Sequence, residues 1–238
     1  QTMQIGNRPC RIYGEAHAEY LLLQMTGEHE LQSMDHEVTV IAQSSWNFLF
    51  AAIPVESWND ALSPWPAPPV FGGHGFGGHA EETLAYIQNT LIPECFTAHH
   101  LAEQTKIMLC GYSLAGLFAT WAPFQTDLFD AVASASGSMW YPNFAEYVEA
   151  GEFERPLRCA YFSLGSKEAR TPSRLLRGVA DGTQRVVAAF EAKGVKTVFE
   201  SNPGNHFKEP DVRMAKAICW AVSNCGEDSP SKSKACEL

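Results

Sequence analysis

Short, continuously apolar runs alternate along the chain with longer stretches whose apolar residues recur at helical spacing. Apolar runs bounded by turn residues are typical of buried strands, whereas recurrence at every third or fourth position indicates a helix. On this basis the predicted strands are residues 10–13, 20–25, 47–55, 106–111, 129–135, 158–164 and 196–200. The predicted helices are residues 34–44, 80–99, 114–123, 143–152, 173–193 and 210–222.

This order of strands and helices predicts an α/β protein. Residues 47–55 show no polar alternation, which is expected of a strand buried on both faces of a parallel sheet. Strands that alternate with helices form a mostly parallel central sheet with helices on both faces. No internal repeat or linker interrupts the pattern, so we expect one domain over residues 1–222 and a polar C-terminal tail over residues 223–238.

One segment rich in Pro, Gly, Trp and His, residues 56–79, follows neither pattern. A loop this long in a compact domain is usually functional, so we expect a lid or a pocket wall. The alternative is a surface excursion packed on its own aromatic residues. Residues 71–79 lack the Lys-Ser/Thr pair of a phosphate-binding loop, and two histidines five residues apart are a weak metal signal. We therefore expect no metal and no cofactor.

Composition and charge narrow the function classes. The 238 residues are 45% apolar and 18% charged, which excludes a disordered chain. Lys and Arg total 17 against 27 Asp and Glu, giving a formal net charge of −10. Because phosphate binding needs clustered basic residues, neither nucleic acid nor an anionic membrane is the expected partner.

Targeting and redox signals favour a cytoplasmic protein. The longest strongly apolar stretch, residues 48–55, is far shorter than the roughly 20 residues that a membrane-spanning helix needs. The first residues show no apolar core of a signal peptide. The 7 cysteines are widely spaced and include no Cys-x-x-Cys pair, which indicates neither a disulfide framework nor a zinc site. We therefore expect a reducing compartment.

The strongest chemical signal is the segment Gly111-Tyr-Ser-Leu-Ala-Gly116, between a predicted strand and a predicted helix. A Gly-x-Ser-x-Gly turn in this context is a nucleophile elbow, which projects the serine hydroxyl above the sheet edge. Ala115 stands where the consensus has glycine, but it is also small. An incidental Gly-x-Ser turn is the alternative. We predict that Ser113 is a nucleophile.

The nucleophile needs a base, and the chain order of the elbow fold places an acid before that base. His206 is the one histidine after Ser113 and follows the last predicted strand. Glu168 follows the preceding strand and is the predicted acid, which would orient the imidazole and stabilise its protonated form. The other candidate acids lie inside a predicted helix or close to His206 in sequence; they are Asp181, Glu209 and Asp211.

Four segments together carry a family resemblance. They are the elbow, Trp58-Asn-x-x-Leu-Ser-Pro-Trp65, Ser136-Gly-Ser-Met-Trp-Tyr-Pro142 and Gly204-Asn-His206. From about residue 48 to residue 220 the chain resembles the esterase branch of the α/β-hydrolase superfamily that includes siderophore esterases and esterase D-like enzymes. The resemblance implies a single-domain α/β-hydrolase fold. Some members of this branch work with a Ser–His dyad, which leaves the acid open.

An acyl-transfer site also needs two backbone donors aimed at the developing oxyanion. One expected donor is the N–H of Leu114, directly after the nucleophile. The other is expected in the loop after residue 55, on Trp58 or Ser57. Large side chains near these segments would form an apolar substrate pocket, or would simply fill the core beneath the long loop; they are Trp58, Trp65, Met139 and Trp140.

These residues predict a serine hydrolase that cleaves carboxylic esters through an acyl-enzyme. A catalytically silent hydrolase fold used for binding is one alternative, although a silent descendant often loses a member of its triad. An acyltransferase or peptidase with the same residues is another. The expected partners are a small-molecule ester and, at most, a second copy of the chain in a homodimer.

Overall fold

Eight strands form one sheet in the computed structural model, which describes residues 1–70 and 72–226. In chain order the strands are β1 (Thr2–Ile5), β2 (Arg8–Gly14), β3 (Tyr20–Thr26), β4 (Phe48–Pro54), β5 (Lys106–Tyr112), β6 (Ala131–Ala135), β7 (Cys159–Gly165) and β8 (Lys196–Asn202). Across the sheet the order is β1-β2-β4-β3-β5-β6-β7-β8.

The sheet is parallel from β4 to β8 and antiparallel at its other edge, where β2 pairs with β1 and β4. In the centre, Leu22 of β3 lies level with Phe50 of β4 and Met108 of β5. Each strand predicted from an apolar run is present. The pattern did not predict β1, because its four residues alternate in exposure and form no apolar run.

Helices cover both faces of the sheet, as predicted. They are α1 (Met34–Ala42), α2 (Trp58–Leu62), α3 (Ala80–Tyr86), α4 (Ile92–Ala98), α5 (Leu114–Trp121), α6 (Phe144–Ala150), α7 (Arg174–Arg177), α8 (Val179–Ala192) and α9 (Pro210–Asn224). One face packs against α1 and α9 through Met34, Ile41 and Ile218. The opposite face packs against α3, α4, α5, α6 and α8. This α/β arrangement confirms the predicted fold class.

The helices differ from the pattern in four places. A π-helical turn, Ile87–Leu91, joins α3 to α4 within the single helix predicted over residues 80–99. The helix predicted over residues 173–193 divides at Gly178 into α7 and α8. The segment 56–79 contains the short helix α2. The helix predicted to end at residue 222 continues to Asn224, and residues 227–238 of the predicted tail lie outside the described residues.

The compartment stays a prediction. The described free cysteines are buried; they are Cys10, Cys95, Cys110, Cys159 and Cys225. Cys219 is disulfide-bonded, so the cysteines give no support for a reducing compartment. Among the described residues, no helix is long and apolar enough to cross a membrane.

The carboxyl ends of the parallel strands bring separate parts of the chain to one edge of the sheet. In open α/β sheets, ligands bind at this edge. The chain leaves β5 at Ser113, β7 at Ser166 and β8 at Pro203. The three predicted catalytic residues therefore belong to loops at the same edge.

We expect Gly182→Ala to destabilise the protein. Alanine favours a helix interior over glycine by about 1 kcal/mol. However, a Cβ on Gly182 would lie 2.1 Å from the backbone carbonyl oxygen of Met139, so α8 would have to shift. We expect a loss of about 1–3 kcal/mol in the free energy of unfolding, measured by urea denaturation. Gln184→Ala, on the exposed side of the same helix, is the control and should change stability by less than about 0.5 kcal/mol. A Gly182→Ala variant at least as stable as the parent would contradict this account.

Candidate active site

Ser113 occupies the turn between β5 and α5. Its φ is 60° and its ψ is −124°, a conformation that residues with side chains rarely adopt. The turn can close because Gly111 has no side chain, since a Cβ there would lie 2.2 Å from the Ala115 carbonyl oxygen. The predicted elbow is present, and Ala115 is small enough for it.

His206 lies in the loop between β8 and α9 and contacts Ser113. Its Nε2 is 2.9 Å from the Oγ of Ser113. Tyr112, the last residue of β5, donates a hydrogen bond from its hydroxyl to the carbonyl oxygen of His206, and the two rings lie 5.4 Å apart between centroids. The residue before the nucleophile thus also holds the loop that carries the imidazole.

Glu168 contacts the opposite side of the imidazole. Its Oε2 is 2.9 Å from the Nδ1 of His206, and its Oε1 accepts a hydrogen bond of 2.8 Å from the N–H of Gly165 at the end of β7. The structure therefore brings Ser113, His206 and Glu168 together in one hydrogen-bonded chain. Their roles in a reaction stay predictions.

The other candidate acids lie elsewhere. Asp181 is exposed on α8 and lines a neighbouring groove with Glu146. The carboxylate of Asp211 is 2.6 Å from Nδ1 of His36 on α1. Glu209 is exposed, directly before α9. Among the four acids considered from the sequence, only Glu168 has a hydrogen bond to His206 in the described part of the chain.

A buried arginine, which the sequence analysis missed, forms an ion pair with Glu168. Arg213 on α9 is 3% exposed. Its Nη1 lies 3.3 Å from Oε1 of Glu168, and within 3.1 Å of both the Tyr112 hydroxyl and the Ser136 Oγ. Its Nη2 donates to the carbonyl oxygen of Pro203, at 3.1 Å. One guanidinium thus joins segments at the ends of four strands, β5, β6, β7 and β8. No local signal distinguishes this arginine, because a basic residue near a helix start is ordinary.

This environment keeps Glu168 ionised. Burial alone would raise the pKa of Glu168, but the hydrogen bond and charge of His206 and the N–H of Gly165 hold that pKa below its ordinary value. The side chain is 4% exposed, so the carboxylate is compensated by protein groups instead of water. An ionised carboxylate on Nδ1 fixes the ring so that Nε2 faces Ser113.

The triad opens into a cavity of about 250 Å³. Trp140 lines it, as the sequence predicted, together with Leu176, Val179 and Phe207. Phe207 is 80% exposed, which is unusual for a large apolar residue. Among the described residues, no three His, Cys, Asp or Glu side chains come together as metal ligands.

Three predicted pocket residues, Trp58, Trp65 and Met139, are not among the residues that line this cavity. Trp65 packs against Tyr141, Phe144 and Tyr147, and its Nε1 donates to the carbonyl oxygen of Pro142 at 2.9 Å. Met139 is buried at 2% exposure and lines only the neighbouring groove. These contacts match the alternative stated above, in which the aromatic residues fill the core beneath the long loop.

Of the two predicted oxyanion donors, Leu114 directly follows Ser113 at the start of α5, whereas Trp58 lies in a separate groove. Leu114 is the first residue of α5, where the helix leaves the N–H groups without intrahelical partners. Trp58 begins α2 and lines a separate groove that also includes Gly27 and Glu28. Because β3 lies between β4 and β5, the loop after β3 is closer in the sheet to Ser113 than the loop that carries Trp58. The second donor stays a prediction.

The loop after β3 is held by a buried acid, Glu30. Its Oε2 accepts a hydrogen bond of 2.7 Å from the N–H of Gly27, and the residue is 7% exposed. Burial raises the pKa of Glu30 to about 7, against a lowering by the Gly27 hydrogen bond. Near neutral pH this carboxyl is therefore more protonated in the folded chain than in the unfolded chain.

No protein-family model matches the chain. Among solved structures, siderophore hydrolase EstA from Aspergillus nidulans superposes with a TM-score of 0.69 at 18% identity, over 87% of this chain and 82% of that one. An IroE-like serine hydrolase from Shewanella oneidensis gives a TM-score of 0.72 at 16% identity, over 89% of this chain and 74% of that one. The chain has the α/β-hydrolase fold.

One further solved structure and one relative found by sequence also match the chain. Siderophore hydrolase EstB from Aspergillus nidulans has the same hydrolase fold, with a TM-score of 0.62 at 18% identity over 97% of this chain and 96% of that one. The uncharacterized protein YbbA of Bacillus subtilis is 28% identical over 145 residues. That match spans 60% of this chain and 58% of YbbA, just over half of the relative's length. The similarity to esterase structures predicted from the motifs is thus confirmed at the level of the fold.

We expect Arg213→Met to lower the free energy of unfolding of this α/β-hydrolase fold by about 3–5 kcal/mol, because it removes the arginine partner of the buried Glu168 carboxylate. The free energy of unfolding of Arg213→Lys should lie between those of the parent and Arg213→Met, since one ammonium group cannot reach all four partners. The control is Arg177→Met on exposed α7, with an expected change below about 0.5 kcal/mol. Urea denaturation measures all three. Equal stability of the Arg213→Met and Arg177→Met variants would show that the network contributes nothing.

Glu30 should make stability fall as pH rises through neutrality. Its pKa is raised in the folded state, so its stabilising contribution is complete below the ordinary glutamate pKa and is lost as pH passes about 7. A shift of this size corresponds to about 3 kcal/mol. In Glu30→Gln the difference in unfolding free energy between pH 4 and pH 8 should shrink by that amount. Glu28→Gln, at the exposed neighbouring residue, should keep the parental pH profile, and a parental profile in Glu30→Gln would refute the prediction.

Proposed function

We propose that this protein is a serine hydrolase that cleaves small carboxylic esters through a Ser113 acyl-enzyme. One observation carries the proposal: an unbroken hydrogen-bonded chain from Ser113 through His206 to Glu168, at the base of a cavity. Each of the two contacts has the 2.6–3.2 Å geometry that general-base catalysis needs, at 2.9 Å.

In the first half-reaction, Ser113 Oγ attacks the ester carbonyl carbon while Nε2 of His206 removes the hydroxyl proton. The carbonyl electron pair moves to oxygen, and the N–H of Leu114 faces that charge at the start of α5. Ionised Glu168 stabilises the imidazolium through Nδ1. The intermediate then collapses: the bond to the alcohol oxygen breaks, and His206 gives its proton to the departing alcohol.

In the second half-reaction, water replaces the alcohol. His206 removes a proton from water, whose oxygen attacks the acyl carbon. Collapse of this second intermediate breaks the bond to Ser113 Oγ, which recovers its proton from His206. The products are a carboxylic acid and free enzyme, and no cofactor is required for this balance.

The alternative of a silent binding fold is less well supported. A protein that only binds ligand has no need for the strained φ of 60° at Ser113, for which the fold must compensate elsewhere. It also has no need for a buried acid held by Arg213 and His206. The similarity in fold to siderophore hydrolases and to an IroE-like serine hydrolase supports hydrolysis of an ester. A homodimer and a cytoplasmic location stay predictions.

We expect Ser113→Ala to abolish both ester hydrolysis and covalent labelling by a fluorophosphonate probe. Loss of a nucleophile of this kind costs on the order of 10⁶ in kcat. The assay is a panel of p-nitrophenyl esters of increasing acyl length, combined with mass spectrometry of the labelled peptide. Ser201→Ala, exposed on β8, should keep both activities. Parental turnover by Ser113→Ala on an ester that the enzyme accepts would end the proposal.

We expect Glu168→Gln to lose at least about a hundredfold in kcat, with the fold retained. The change keeps the shape but removes the charge that orients and stabilises the imidazole, a loss of up to about 10⁴ in well-studied triads. Asp181→Asn, the matched change at the runner-up acid, should leave kcat within about twofold because Asp181 is exposed and lines another groove. If the two variants were equally active, the site would be a Ser–His dyad without an acid.

A further inference from the structure

Positive charge is concentrated in one segment of this acidic chain. The chain carries 27 acidic and 17 basic residues. The segment of residues 166–178, between β7 and α8, reverses this balance, because it has one acid, Glu168, and several basic residues; they are Lys167, Arg170, Arg174 and Arg177. The fold brings part of this segment to the catalytic cavity.

Two of these cations line the same cavity as Ser113, namely Lys167 and Arg170. In the described part of the chain, neither side chain has a carboxylate within 4.0 Å. The acid between them in sequence, Glu168, is already hydrogen-bonded to His206 and Arg213. The cavity therefore has two cationic groups for which the described residues provide no counter-charge.

The backbone holds both residues in a fixed relation to the triad. The N–H of Lys167 donates to the carbonyl oxygen of Gly204, two residues before His206, at 3.0 Å. The N–H of Arg170 donates to the carbonyl oxygen of Lys167, also at 3.0 Å. This turn is the one that presents Glu168 to the imidazole. The main-chain positions of the two cationic residues are therefore fixed relative to Ser113.

The rest of the cavity is apolar. Trp140, Leu176, Val179 and Phe207 contribute aromatic and aliphatic surface beside the two cations. Phe207 is exposed, and its ring packs edge-on against His206 at 5.3 Å between centroids. An apolar ligand body with one anionic group matches this distribution of surface and charge.

We propose that the preferred substrate is an ester that carries an anionic group, bound by Lys167 and Arg170 while its apolar body contacts Phe207 and Trp140. This inference rests on the esterase function proposed above and adds the charge class of the substrate. Both cations are exposed, so each contributes a modest, salt-sensitive attraction. Together they raise kcat/KM for an anionic ester about three- to tenfold at low salt.

Two matched pairs of esters test the proposal. para-Acetoxybenzoate and its methyl ester differ in charge on the leaving group. The p-nitrophenyl monoester of terephthalate and its methyl-blocked analogue differ in charge on the acyl group. For each pair the ratio of kcat/KM is divided by the ratio of the hydroxide-catalysed rates, which removes differences in intrinsic reactivity. The pair that shows the preference identifies the side of the ester on which the anion lies.

We expect the parent enzyme to prefer the anionic member of one pair by about three- to tenfold at low ionic strength, and the preference to shrink as salt is added. In the double variant Lys167→Met/Arg170→Met, kcat/KM for the anionic ester should fall by more than kcat/KM for the neutral ester, so that the preference is lost. Lys167→Arg/Arg170→Lys should retain the preference. The control Arg174→Met/Arg177→Met makes the same change in net charge, on the same segment but away from the catalytic cavity, and should also retain it.

Three results would overturn the inference. They are an absence of preference in the parent enzyme, an equal loss in the control double variant, and an equal loss of neutral-ester hydrolysis in Lys167→Met/Arg170→Met. The last would indicate a structural role for the turn. Failure of the proposed function is distinguishable, because in that case no ester in either pair would show turnover that depends on Ser113.

Discussion

The carboxylate of Glu168 is the group on which the site depends. An ionised acid that is 4% exposed can persist only where protein groups replace its hydration. His206, Arg213 and the N–H of Gly165 together do so. Because these partners come from the loop after β8, from α9 and from the end of β7, compensating this one charge also fixes the relative position of the three segments.

Arg213 extends the same constraint to Ser113. Its guanidinium contacts the hydroxyl of Tyr112, which directly precedes Ser113, and the carbonyl oxygen of Pro203 in the histidine loop. Tyr112 in turn donates to the backbone of His206. The strained turn at Ser113 and the loop that carries His206 are thus bonded to one buried network. Pre-organisation of this kind holds catalytic groups at reacting distance before substrate arrives.

Charge is distributed in opposite ways at the site and over the whole chain. A net charge of −10 makes the chain as a whole repel anions, whereas residues 166–178 place cations at the cavity. Inside the site the positive Arg213 is paired with Glu168, so it belongs to the buried hydrogen-bonded network. Lys167 and Arg170 form no ion pair with a carboxylate among the described residues. Folding therefore separates the basic residues of this edge into a buried structural arginine and an accessible pair.

The sequence by itself determined every strand except β1, the α/β class and the three residues of the hydrogen-bonded chain. Apolar runs and the Gly-x-Ser turn are local properties, and the order nucleophile, acid, base follows from the order of the strands.

Only the tertiary structure decided the rest. Trp140 lines the cavity, whereas Trp65 packs against Tyr141, Phe144 and Tyr147. The second oxyanion donor was expected on Trp58 or Ser57, in the loop after β4. That donor stays a prediction, and only the sheet order shows that β3 lies between β4 and β5. Arg213 lies 45 residues from Glu168 in sequence, and no local pattern records a contact that exists only when α9 packs on the sheet.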